Sequence, residues 1–168
     1  MKKVLWLIVC LMTMVIGFTS CEKSEKEFEK DLKEAFEMGN SLFEASMVKY
    51  TSSSITQEKA ESLKREARLD AEKIVRGSIE PLIEKYGENR VLKAFNDSII
   101  EQWYYEDMSY KPKLYKTTDE LIKIAIKSTT RSFIFEIEQV LYKKSMTELI
   151  AECEKRGLPL PITLDDLK

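Results

Sequence analysis

Few kinds of side chain in this 168-residue sequence could do chemistry: three cysteines, many carboxylates and one run of aromatics. Histidine is absent. That removes Ser-His-Asp and Cys-His catalysis, HExxH zinc sites and ordinary histidine-ligated metals. The five glycines are scattered and build no phosphate-cradling loop. Glu101, Glu106 and Asp107 lie near the aromatic run, where partial burial could raise a carboxyl pKa into the range for general acid–base work. They are drawn from 29 acidic residues, so solvated helix charges account for them more simply. Asp165-Asp166 lacks calcium-loop spacing and reads as a polar tail. Cys153 stands between Glu152 and Glu154, which disfavours a reactive thiolate, and it lies on an apolar stripe as a structural thiol would. No metal or cofactor is expected.

The aromatic run spans residues 103–115 and holds Trp103, Tyr104, Tyr105, Tyr110 and Tyr115, with Pro112 forbidding a continuous helix. Tyrosine and tryptophan offer flat apolar faces with polar tips, and they dominate binding hot spots. These five residues form either a loop that caps a helical bundle or a surface for a glycan, peptide or small ligand. Trp103 continues a helical stripe and so leans to the core.

The most patterned stretch lies at the start. Lys2 and Lys3 precede an apolar run from Val4 to Ile16, and Gly17-Phe18-Thr19-Ser20-Cys21 closes it before the sequence turns charged at Glu22. Basic start, apolar middle and small-residue end make up the layout of an export signal. The thirteen residues 4–16 fall short of the roughly 20 that a membrane span needs. With its cysteine directly after Thr19-Ser20, the segment resembles the lipobox of bacterial lipoproteins, departing from the usual leucine with Phe18. The resemblance covers the signal and Cys21 alone. It implies cleavage before Cys21, acylation of that cysteine and a lipid-anchored protein of the Gram-negative cell envelope, with the outer membrane as the expected address. Acyl chains stabilise membrane binding by about 0.8 kcal/mol per buried CH₂, so several chains on one cysteine would hold the protein durably.

The chain has 27 basic and 29 acidic residues; Lys2 and Lys3 would leave with the signal, making the mature part mildly acidic. Nucleic acid asks for clustered positive charge, so it is not an expected partner. With Cys10 in the signal and Cys21 acylated, Cys153 would have no partner for a disulfide. Helix packing alone must then stabilise the domain.

The periodicity predicts an all-α fold, a bundle of about four to six helices. Residues 1–20 form the signal, 21–33 a charged lead, 34–157 the helical domain and 158–168 an irregular tail. The first helix covers about 24–50, with Phe28, Leu32, Phe36, Gly39, Phe43, Met47 and Tyr50 on one face. A second, N-capped by Thr56 with Ile55 stapling onto Ala60, is expected to break at Gly77-Ser78 before Pro81, where Ser78 would cap a new short helix. Gly87 stops that piece and Asn89 caps the third helix. Thr117 and Glu120 have capping-box spacing. Residues 121–138 fit either a helical face or a β-hairpin turning at 128–131; a lone hairpin is marginal, which favours helix.

The functional expectation is a membrane-anchored, non-enzymatic protein that binds an envelope partner, as an accessory subunit or an immunity-type neutraliser. The alternative is a glycan or small-ligand module using residues 103–115. A carboxylate-dependent hydrolase ranks last.

Overall fold

The computed structural model describes residues 22–105 and 112–157. They form four α-helices and no strand: α1 (Glu22–Tyr50), α2 (Gln57–Tyr86), α3 (Glu88–Tyr105) and α4 (Thr118–Arg156). The all-α expectation holds, and 121–138 is helix throughout. The isoleucines of 122–126 suit a strand locally, but Leu121, Ile122, Phe133 and Ile137 are all buried at helical spacing. Tertiary packing decides between the two periods.

α1 and α2 run antiparallel. Near one end Lys85 reaches Glu27 and Asp31; near the other Lys49 reaches Glu66 and Asp70. α2 and α4 also run antiparallel, with Lys64 beside Glu138 and Leu82 clustered with Leu121 and Ile122. This register carries roughly the last three turns of α4 past the start of α2. Among the described residues, the hydrogen bonds and ion pairs of 143–156 stay within that helix or its Gly157 cap.

Two apolar clusters make the core. The first gathers Phe43, Tyr50, Ile55, Ala60, Ala67, Ala71, Phe133 and Ile137. Tyr50 is fully buried and stacks on Phe133 at 4.5 Å, and its hydroxyl donates to Asp70 at 2.6 Å. The second gathers Phe28, Val75, Ile79, Leu82, Val91, Phe95, Leu121 and Ile122. Alanines at 60, 67 and 71 let α2 approach its neighbours closely along the first cluster.

Three boundaries differ from the sequence expectation. α1 begins at Glu22, and Phe28 is buried beneath Arg90 and Tyr86, so the helical domain takes in residues 22–33 that were expected to form a lead. The spacing already sets Phe28 and Leu32 on the apolar face of the first helix, and the charged residues around them are what suggest a lead. α2 is unbroken through Gly77, Ser78 and Pro81. Pro81 removes a hydrogen bond to the Gly77 carbonyl, but both residues are exposed, so water can satisfy that oxygen. Ser78 caps nothing; its hydroxyl donates back to the Ile74 carbonyl at 2.9 Å. α3 starts at Glu88 rather than after Asn89, because Gly87 at φ 81° ends α2 and its carbonyl accepts from Val91 N.

The caps at Thr56 and Thr117 form as expected, accepting from Lys59 N and Glu120 N. The Glu120 carboxylate accepts from Lys116 N, one residue before the cap rather than from Thr117 N as a closed capping box would have it, and that bond holds its carboxyl below the usual range. Gly157 closes α4 in the left-handed conformation at φ 66°.

Candidate functional site

The sequence-predicted site residues fall in different places. Cys21 lies outside the described residues, one position before α1, and Tyr110, Glu106 and Asp107 lie outside them too. Trp103 and Tyr105 belong to the last turn of α3, where Tyr104 is 76% exposed. Tyr115 is half-buried against the second core cluster. Its backbone is clamped by the Asn96 amide, which accepts from Tyr115 N and donates to Tyr115 O, each at 2.9 Å. Burial, with the Glu120 charge second, pushes the Tyr115 hydroxyl pKa up. Tyr104 and Tyr115 thus sit in different environments, one wet and one serving the packing. One oxygen of Glu101 is buried without a hydrogen-bond partner among the described residues. Cys153 is a half-buried free thiol on α4.

The structure offers a cleft that the aromatic run did not announce. α1 and α4 each lie chiefly against α2 and touch one another much less. Between them opens a cavity of about 110 Å³, partly open to solvent. α1 supplies Ala35, Phe36, Gly39, Asn40 and Phe43 to its wall; α2 supplies Ile74, Val75, Ser78 and Ile79. Phe95 comes from α3, and Ala125, Ser128 and Thr129 come from α4. Phe36 and Phe95 meet at 5.3 Å between ring centroids, and Phe43 stacks on Phe133 at 5.0 Å, so the aromatic walls are fixed from behind. Gly39 lets α1 sit close to α2 at the cleft floor, since a Cβ there would lie 2.8 Å from Ser78 Oγ.

The cleft is uncharged. None of its lining residues is ionisable, so it cannot supply a general acid or base. Charge is concentrated away from it in two networks. In the first, Asp31 accepts from Lys85 and Tyr86, both at 2.7 Å; those hydrogen bonds, Lys85 foremost, hold its carboxyl below the usual range. In the second, Glu66 is held low by Lys49, while burial and then Asp70 push the Tyr50 hydroxyl up. Each group pairs with an opposite charge or a hydroxyl, as structural networks do. Among the described residues no group of three His, Cys, Asp or Glu side chains could hold a metal ion.

By spacing alone, Ser128 and Thr129 fall at the turn of the hairpin alternative, Thr129 falls on the face of the favoured helix, and Gly39 is one more member of the α1 face. The signal for a cleft was present in weaker form: small Ala35 and Gly39 alternate with Phe36 and Phe43, and hydroxyls interrupt the apolar face of α4 at 128 and 129.

No protein-family model, curated protein or solved structure matches the chain.

Proposed function

We propose that this protein is a lipid-anchored, non-enzymatic binding protein of the Gram-negative cell envelope. Acylated Cys21 inserts in the bilayer, and the helical bundle recognises a protein or other envelope partner. The observation that most supports this reading is the junction at Glu22. The basic-apolar-small-Cys segment abuts a helix that is packed into the core by Phe28. That spacing leaves roughly two turns of helix between the acyl chains and the core, so the bundle stands close to the membrane. The end carrying Ser24, bonded to Arg90 at 3.1 and 3.2 Å, is then membrane-proximal. The C-terminal half of α4 is distal, with Ile150 buried and Tyr142 and Leu149 exposed toward a partner. No helix among the described residues is long and apolar enough to cross a membrane. The outer membrane is the proposed address, and protease shaving of intact cells tests which of its faces the bundle occupies.

Mass spectrometry of the mature amino terminus tests the anchor. Acyl mass on Cys21, lost in Cys21→Ser, is the expected result, and an unmodified cysteine ends the reading. A stoichiometric partner in detergent pull-downs, lost when Tyr142 and Leu149 become serine, tests the distal surface.

A second reading has its own observation. The cleft between α1 and α4 is apolar, uncharged and edged by Asn40, Ser128 and Thr129, which supports small-ligand binding there rather than along residues 103–115.

A further inference from the structure

We propose that the cleft between α1 and α4 takes a compact uncharged ligand: a single aromatic ring or short branched alkyl group carrying one hydroxyl or amide. The proposal rests on the second reading above and adds the class of ligand. Size sets the first limit. The cavity of about 110 Å³ is somewhat smaller than the engineered cavity of about 150 Å³ that takes benzene. Because it is partly open, a ring can enter with its substituent toward the rim.

Charge sets the second limit. A carboxylate or ammonium entering this cleft would lose hydration with no ionisable side chain on any wall to replace it. A neutral ring loses little hydration and gains the edges and faces of Phe36, Phe43 and Phe95.

The uncommitted polar groups supply the third. Of the three hydroxyl residues that line the cleft, Ser78 is already used, donating to Ile74 O. Asn40, Ser128 and Thr129 are the other polar residues of an otherwise apolar wall, and their side chains hydrogen-bond to none of the described residues. Asn40 stands on α1, and the two hydroxyls stand on α4. A ligand hydroxyl or amide can therefore donate to one wall and accept from the other, while its apolar part fills the space between.

Nitrogen–proton NMR on the full chain in detergent, titrated with phenol, benzene, benzoate and benzylammonium, reads this directly. Phenol and benzene should give saturable shifts confined to amides of residues 35–43, 74–79, 95 and 125–129. Benzoate and benzylammonium should bind at least about tenfold more weakly. Ser128→Leu, which fills the cleft, should abolish the shifts. Thr129→Val and Asn40→Ala should each weaken phenol by about fivefold and leave benzene nearly unchanged. If Ser128→Leu does not fold, the near-isosteric Thr129→Val still decides: phenol binding indifferent to it and to Asn40→Ala overturns the proposal. Benzoate binding as well as phenol overturns the ligand class and leaves the second reading standing. No saturable shift with either neutral probe overturns both, and neither result bears on acylation of Cys21.

Discussion

Gly39 on α1 lies so close to Ser78 on α2 that a methyl group at position 39 would come within 2.8 Å of the Ser78 hydroxyl. Two effects oppose each other there. Alanine in place of glycine favours a helix by about 1 kcal/mol. Against that, the added Cβ must displace a buried hydroxyl that donates to the Ile74 carbonyl. Gly39→Ala alone should therefore lower stability by about 1 kcal/mol, whereas in a Ser78→Ala background the same change should raise it by a similar amount. Urea denaturation of the four proteins measures the coupling. The same sign in both backgrounds would mean that this contact does not set the α1–α2 spacing.

Phe28 tests whether the acidic and basic residues after Cys21 are tether or domain. Its ring is 7% exposed, meets Tyr86 edge-on at 4.9 Å and lies under the Arg90 guanidinium at 4.5 Å. Phe28→Ala should cost about 3 kcal/mol. A polar tether would tolerate the change without measurable loss in thermal or urea melts.

The Asp31 network predicts a pH dependence. Lys85 and Tyr86 hydrogen bonds lower the Asp31 pKa from 3.8 in the folded protein. A depressed carboxylate contributes stability above its unfolded pKa, and that contribution is lost as pH falls through the folded value. Wild type should thus melt above Asp31→Asn at neutral pH, and the two melting temperatures should converge well below pH 3.8. Because the pair is exposed, added salt should shrink the neutral-pH gap. A gap independent of both pH and salt would assign the effect of the variant to lost packing.

Pro81 lies inside α2 on the solvent side. Pro81→Ala restores a hydrogen-bond donor to the Gly77 carbonyl and relieves the ring's clash with it. Stability should rise by about 2 kcal/mol, read from the midpoint of urea unfolding at unchanged slope. A loss of stability would show that the proline is fitted to a bend that the helix needs.

Residues in the sequence with a local physical signature were readable in advance. Thr56 and Thr117 cap helices because their hydroxyls reach the third backbone N–H, and Gly87 and Gly157 stop them because their backbones take positive φ. Phe36, Phe43, Tyr50 and Phe133 repeat at helical spacing and are found in contact with one another or with Phe95. Pro81 misled because the rule against internal proline weighs one lost hydrogen bond. It does not weigh the packing of Val75, Ile79 and Leu82, which holds α2 together across it.

The sequence by itself determined that the described chain is helical, where most helices start and stop, and that histidine chemistry is closed to it. It also supplied the pattern ending at Cys21 that motivates the proposed anchor. Tertiary structure alone decided the rest. It extended α1 back to Glu22, carried α2 unbroken through Pro81, and set Tyr104 apart from Tyr115. It also brought Asn40, Ser128 and Thr129 to the walls of one cleft, although they lie far apart in the chain. Caps and periods act within a turn or two of helix, whereas a cleft depends on how α1 and α4 diverge over α2, and pairwise packing among distant residues fixes that divergence.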